Sequence, residues 1–333
     1  MTLRAVRFFS GLVLLAAAAG APLEAHAAQN LAVRTIAGRK YLKAQDVARY
    51  FGMRLAPVND RYEMRGAPGV VTFTPQKRYG SFNGTVLTYD FAPAVAGGAL
   101  YISASDFQNT LQALLNLRSL RNAPVRTVML DPGHGGSDCG AVGKRFQEKV
   151  LTLLIAQRVK AHLETMGYRV LMTRGDDRTV ALSPRAKKAV DAKVDLFISI
   201  HINSASNSAV RGVETFALAA PGAPSSGSGN VVYTRYPGDA ALLNSTALAM
   251  SVQQALRQMV KAPDRGMKRA RFVVIRENRC PAILIECGFI SNRSEENLLG
   301  TASYRESLAR AIAVGIRNYH LRLQKKPQIT VRN

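Results

Sequence analysis

From about Val125 to Leu323, short β-forming apolar runs alternate with helical stretches, and this alternation constrains the chain more than any other feature. Strands joined through helices run parallel, and a parallel sheet needs cover on both faces. The strand-like runs are "TVMLD", "YRVLMTR", "VDLFISIH", "GVETFALA", "FVVIR" and "PAILIE". Between the first two, Glu148 to Met166 reads as a mostly buried helix, with Val150, Leu154 and Ala161 on one stripe and Leu151, Ile155, Val159 and Met166 on another. Ser183-Pro184 offers an N-cap and a first-turn proline for a helix to about Lys193. Further helices are expected near Asp239 to Val260 and Ala302 to Leu323, and "APGAPSSGSGN" reads as a mobile loop. The expected class is α/β, a mainly parallel twisted sheet flanked by helices on both faces over residues 125–323.

Residues 29–121 differ in texture. Short strand-like runs and turns such as Asn83-Gly84 surround two helical patches, "LKAQDVARYFG" and "SASDFQNTLQALLN", which together describe a small α+β accessory domain. Ahead of it, Arg4 and Arg7 precede an apolar run from about Phe8 to Ala19, and Ala25-His26-Ala27 supplies small residues for cleavage. Residues 1–27 therefore read as a secretory signal peptide, too short in its apolar core to span a bilayer. No later segment has transmembrane length, and residues 324–333 form a basic tail. An exported protein of the periplasm or cell envelope follows.

Formal charge is +23, from 45 Lys+Arg against 22 Asp+Glu. Such a balance suits anionic envelope polymers or lipids, and export argues against nucleic acid. Three cysteines, Cys139, Cys280 and Cys287, are too few for a disulfide scaffold. A strand between Cys280 and Cys287 holds them ~23 Å apart, beyond bridging reach. Cys139 and Cys287 both follow strand ends and a pairing between them stays open beside the alternative of free thiols.

Ligands of open α/β sheets sit beyond the carboxyl ends of strands. "TVMLD" leads through Pro132 and Gly133 to His134, with Gly135 and Gly136 allowing a tight turn and close approach. "LFISI" ends at His201, "AILI" ends at Glu286, and Glu148 opens the first helix. Two histidines and one glutamate make an open zinc site with a position left for water, and Glu286 is a further carboxylate for proton transfer. Plainer readings exist: a turn histidine facing solvent, Glu148 as a helix-start charge favoured by the dipole, and Cys139 as an alternative ligand. Asp131 is a candidate to orient a ligand, and Arg276 and Asn292 are weaker candidates for holding substrate. His162 and His320 read as helix residues without a role.

"DPGHGGSDCGAVG" followed by Glu148, then "FISIHIN", then "RGMKRARFVVIRENRCPAILIECGFISN", resembles the zinc-dependent N-acetylmuramoyl-L-alanine amidases of the Amidase 3 type. The resemblance implies one zinc ion per chain at His134, Glu148 and His201, and puts Glu286 in the place of the family's essential glutamate. It implies cleavage of the amide between N-acetylmuramic acid and L-alanine in peptidoglycan, for wall remodelling or cell separation, here expected of a monomer. A peptidase acting within the stem peptide and a non-catalytic wall-binding protein are the rival readings. Ile202 and Cys139 depart from the family pattern without removing a ligand. The segment from Thr215 to Gly238 looks too short and too rich in Gly and Pro for the inhibitory helix some members carry, so an accessible site is expected. Residues 29–121 resemble, loosely, the copper amine oxidase N-terminal-like module through the Tyr41 to Ala48 pattern, with no implication of copper chemistry.

Overall fold

A computed structural model describes residues 31–325, so the expected signal peptide and most of the basic tail lie outside the described residues. Eleven strands share one sheet: β1 (Arg54–Val58), β2 (Arg61–Gly66), β3 (Gly69–Phe73), β4 (Tyr79–Phe82), β5 (Thr85–Thr88), β6 (Thr127–Pro132), β7 (Arg169–Met172), β8 (Leu196–Asn203), β9 (Val213–Leu218), β10 (Asp264–Ala270) and β11 (Ala282–Phe289). Their lateral order is β7-β6-β8-β11-β9-β10-β5-β4-β3-β2-β1. The eleven-stranded sheet as a whole is mixed, but among the strands of residues 125–323 four of the five pairings are parallel, as expected. β7, β6, β8 and β11 are mutually parallel, β9 is antiparallel to β11, and β10 is parallel to β9. The reversal has a simple cause: the link from Asn203 to Val213 is too short for a crossover, so β9 starts at the end of the sheet where β8 stops.

Four longer helices cover this sheet: α1 (Glu148–Thr165), α2 (Leu182–Asp191), α3 (Leu242–Met259) and α4 (Ala302–Gln324). α1, α3 and α4 bury Leu151, Ile155, Leu248, Val252, Leu308 and Ile312 with Ile198, Ile200, Ile283 and Ile285 of the strands. On the opposite face Ala189 of α2 packs with Phe197, Phe216 and Leu284. Only one of the two expected stripes on α1 is fully buried: Leu151, Ile155 and Val159 go inward, whereas Val150 is 44% exposed. α2 begins at Leu182 with Ala181 as its cap, so Ser183 lies inside the first turn and caps nothing.

"FVVIR" is not a strand. Val273–Arg276 forms a short helical turn, and the strand lies upstream at Asp264–Ala270. The charged residues of "DRGMKRA" hid that strand because Arg269 points inward, while the Asn278 amide donating to the Val274 carbonyl (2.7 Å) holds the helical turn. The Ala220–Asn230 loop is tied down rather than free: Arg271 Nη2 donates to the carbonyls of Ala220 (2.7 Å) and Ala223 (2.6 Å), and Ser226 N–H to that of Arg269 (2.7 Å). All three cysteines are free, and burial pushes Cys280 up to about 12.

The first region joins the second edge to edge. β5 runs beside β10, Leu87 opposite Met267, and the β5 to β1 meander extends the sheet by antiparallel pairs. A separate antiparallel sheet of Val33–Ile36, Arg39–Lys43, Ala99–Ser103 and Ala94–Ala96 lies in the same region. Met64, Phe73, Phe82 and Leu87 enter the same hydrophobic core as Val128 and Ile198, so the packing has no gap near residue 121.

Arg269, 1% exposed, stitches the two regions together. Its guanidinium donates to Thr246 Oγ1 (2.6 Å) on one side and to Thr110 Oγ1 (2.9 Å) and the Asn109 carbonyl (3.2 Å) on the other, with Asp90 Oδ1 at 4.0 Å. Beside it Asp106 accepts from Ser103 Oγ (2.5 Å), Asp90 N–H (2.7 Å) and Phe91 N–H (3.1 Å). Burial, then the neighbouring Asp90 carboxylate, push Asp106 up to about 7. Its folded pKa is raised above the unfolded value, so the associated stabilisation is complete in acid and is lost as pH rises through about 7. Urea denaturation of the wild type should show unfolding free energy falling between about pH 4 and 7 and levelling off above, and Asp90→Asn should flatten that slope; an unaltered slope would show that the pair does not cause it.

Candidate functional site

β6 ends at Pro132, and its last residues are fixed from beneath. Asp131, fully buried, accepts from Thr173 Oγ1 (2.6 Å), Ser199 Oγ (2.8 Å) and Arg185 Nη1 (2.8 Å). It orients the loop rather than an imidazole. Arg185 Nη2 donates to the His134 carbonyl (2.7 Å), and Arg174 Nη2 and Thr152 Oγ1 donate to the Gly133 carbonyl (2.8 and 2.9 Å). These bonds hold His134 at φ 60°, a left-handed conformation costly for a residue with a Cβ and commonest where structure over-determines it. Glycine is required before it at Gly133 and across the loop at Gly140 for want of space. A Cβ on Gly133 would meet the His201 ring at 2.4 Å, and one on Gly140 would meet Glu148 Oε2 at 2.6 Å.

Glu148 opens α1, 4% exposed, and gathers both histidines. Its Oε2 lies 3.1 Å from His134 Nε2 and accepts from Ala141 N–H (2.8 Å). Its Oε1 lies 2.9 Å from His201 Nδ1 and accepts from Ile202 N–H (3.0 Å). Burial raises a carboxylate's pKa, yet hydrogen bonds from the two imidazoles and the Ile202 amide outweigh it and hold Glu148 well below the carboxylate range. Asp138 Oδ2 stands 2.8 Å from His134 Nδ1, fixing the ring so that Nε2 faces Glu148. Burial opposes protonation of His134, but Glu148 and Asp138 together raise its pKa, so the surroundings call for positive charge here. One donor atom from each of His134, Glu148 and His201 lies within 4.8 Å of the others. Two imidazoles and a carboxylate at that spacing fit a divalent cation of the zinc type.

Glu286 stands on β11 directly opposite His201 on β8 and Glu214 on β9. It is 9% exposed, and its Oε2 has no hydrogen-bond partner among the described residues. Burial, then the negative charges of Glu148 and Glu214, push its pKa well above the carboxylate range, against the opposing charge of Lys268. Glu214 is itself taken: Arg265 Nε (2.7 Å), Lys268 Nζ (2.5 Å) and Asn203 Nδ2 (3.0 Å) all donate to it.

The structure thus brings His134, Glu148, His201 and Glu286 to one end of the sheet. It does not bring Arg276 there. That residue precedes β11, at the opposite end of the strands, where its guanidinium lies over the Tyr236 ring (5.1 Å). Asn292 follows β11 at the site end but is occupied in packing: Oδ1 accepts from Glu295 N–H (3.1 Å), capping the Arg293–Leu299 helix, and Nδ2 donates to the Ser208 carbonyl (2.7 Å). His162 pairs with Glu306 (2.6 Å) and His320 with Tyr168 (2.9 Å), both away from the cluster. Sequence reading missed Asp138, Arg174, Arg185, Glu214 and Lys268. Asp138 carried a faint signal, four residues after His134 in a glycine-rich turn; the others meet the site only through tertiary pairing. Between Ala219 and Tyr236 the chain forms two short strands, Ala223–Pro224 and Val231–Val232, and no helix.

Comparisons with known proteins agree with this geometry. Residues 128–318 match the Amidase_3 family, described as N-acetylmuramoyl-L-alanine amidase. The chain is 30% identical to the N-acetylmuramoyl-L-alanine amidase AmiA of Escherichia coli K12 over 74% of its own length and 94% of that protein. It is 36% identical to YqiI of Bacillus subtilis over 59% of its length and 85% of that protein. With AmiC of Neisseria meningitidis it shares 34% identity over 60% of its length, but spans only 54% of that relative. Among solved structures, an N-acetylmuramoyl-L-alanine amidase of Clostridium difficile 630 superposes with TM-score 0.51 at 34% identity, covering 62% of this chain and all of that one (100%). The catalytic domain of CwlV from Paenibacillus polymyxa gives 0.50 at 32% identity, with 59% and 98% covered. A family match over more than half of the chain, together with a relative spanned almost end to end, shows that this chain belongs to the Amidase_3 family, the N-acetylmuramoyl-L-alanine amidases.

Proposed function

We propose that this amidase works with one zinc ion held by His134, Glu148 and His201, with Glu286 as its proton-transferring group, as an exported monomer of the cell envelope. The reaction is the family's, hydrolysis of the amide between N-acetylmuramic acid and L-alanine in peptidoglycan. The observation that carries the proposal is one carboxylate, Glu148, meeting an imidazole with each oxygen, beside a second buried carboxylate with an oxygen unengaged. Zinc bound there supplies Lewis-acid polarisation of a carbonyl and acidifies a water at neutral pH.

The chain's own groups do the rest. Glu148 and the two imidazoles form a rigid anionic cup, because Asp138 and the amides of Ala141 and Ile202 fix their orientations. Glu286 lies one strand from His201, buried and free at Oε2, so it takes the proton from the attacking water and returns it to the leaving amine nitrogen. Burial, then the charges of Glu148 and Glu214, raise its pKa above the carboxylate range, so it holds a proton in transit more firmly than an exposed carboxylate would. The two histidines are 25% and 16% exposed at their side chains, which supports a site open to a polymer without an activator. Residues 29–121 fit an accessory role, though the likeness to the copper amine oxidase module rests on the Tyr41 to Ala48 pattern alone.

Glu286→Gln should reduce release of stem peptides from purified sacculi by roughly 10²–10⁴-fold while zinc content, read by elemental analysis, stays at one per chain; turnover near wild type would reassign the proton carrier. Gly133→Ala forces a methyl onto the His201 ring, so this variant should lose bound zinc and activity together. A chelator should silence the wild type, and added zinc should restore it; hydrolysis unaffected by chelation would remove the metal from the scheme.

A further inference from the structure

The sheet that carries Glu286 does not stop at the catalytic half, and the face bearing Glu286 continues into the first region. Pairing registers put Glu286 opposite Glu214, Phe216 opposite Lys268, Ser81 opposite both Val86 and Thr72, and Thr72 opposite Glu63. Met267 and Leu87, paired across the junction, face the other way into the core, so Lys268 and Val86 share the outer face. Along β2 the alternation is plain: Met64 is fully buried, while Arg61 and Arg65 have side chains 48% and 66% exposed. Six strand spacings from β11 to β2 give an outer face of roughly 29 Å beginning at Glu286.

The character of this face points to its occupant. In the catalytic half α2 covers it, whereas the residues on β5 to β2 are mostly half-exposed or exposed polar groups, apart from the half-exposed Val70 and Val86 and the buried Thr72. The hydroxyls of Thr72 and Ser81 lie 2.9 Å apart, and Tyr79, on the same face, is 54% exposed. At the far end Arg54 stands directly opposite Arg65, a like-charge pair that destabilises a sheet, and Arg61 and Arg65 share the one carboxylate of Glu63 (3.2 and 2.8 Å). Three guanidiniums against one carboxylate leave the strip cationic. Hydroxyls and an aromatic ring suit sugar, and surplus guanidinium suits carboxylate. A lipid surface would want large apolar groups to insert, and this strip offers few.

We propose that the outer face of β10, β5, β4, β3 and β2 is a docking platform for the peptidoglycan strand whose amide is cut, with the free carboxylates of neighbouring stem peptides meeting Arg54, Arg61 and Arg65. This rests on the amidase reading and adds to it the path of the polymer beyond the cleaved bond. The platform explains why the first region shares a sheet with the catalytic half instead of hanging from a linker: a continuous face keeps the polymer in register with Glu286.

The test is equilibrium binding of the full chain to purified sacculi, which needs no turnover and so stands or falls apart from the zinc chemistry. Arg61→Glu with Arg65→Glu should weaken binding by roughly five-fold or more, with circular dichroism at the binding temperature showing the variant still folded, because surface pairs such as those with Glu63 contribute little. Lys187→Glu with Lys193→Glu, an equal charge change on and after α2, should leave binding near wild type. Equal weakening by the two pairs would reduce the effect to net charge and overturn the platform, as would unchanged binding in the first pair. Loss of binding to anionic phospholipid vesicles in the first pair, with sacculus binding intact, would overturn it in favour of a membrane surface.

Discussion

A carboxylate buried at the first turn of a helix is the constraint around which this molecule is arranged. Glu148 stays ionised in the interior only because two imidazoles and two backbone amides point at it. An isolated buried carboxylate would cost several kcal/mol, so the loop after β6, the end of β8 and the start of α1 have to be built together. The supports are themselves charged and buried. Arg174 and Arg185, each 2% exposed, spend their donors on the carbonyls of Pro132, Gly133 and His134, which fixes the backbone carrying the first imidazole. A left-handed histidine between glycines is tolerable on such a base and would relax without it.

The second carboxylate shows the opposite electrostatics at almost the same depth. Glu286 has an oxygen with no donor among the described residues and faces Glu214 and Glu148, so its charged form is disfavoured. Two buried glutamates are thereby shifted in opposite directions, Glu148 towards its anion, which suits a cation, and Glu286 towards its protonated form. Glu214 stays tolerable because Arg265, Lys268 and Asn203 donate to it, and the charge of Lys268 also opposes the negative surroundings of Glu286.

The same economy governs the join between the two halves of the chain. Arg269 sits on the core side of β10, adjacent in sequence to Lys268 on the outer side, so one strand contributes a structural cation to one face and a site cation to the other. The internal arginine bonds to residues of both regions, and the β5–β10 pairing closes the gap above it. The first region is thus fixed in place relative to the cluster, by hydrogen bonds whose loss would strand a buried guanidinium.

Sequence alone determined the alternation of strand and helix, the ends of three strands as the place for His134, His201 and Glu286, and the glycines that let them approach. Those features are local: period, turn chemistry and residue type are written within a few positions. It misread Phe272–Arg276 as a strand, because β-branched residues favour strands locally whereas the slot was filled by the charged run before it. It gave Arg276 and Asn292 to substrate, because nearness in sequence to Glu286 says nothing about which end of a strand a residue occupies or whether its amide already caps a helix. Only tertiary structure decided the mixed sheet, the buried Arg174, Arg185 and Arg269, and the shared face from Glu286 to Arg61. Each of these depends on pairing between residues far apart in the chain, and a buried arginine looks like a surface one until its partners are known.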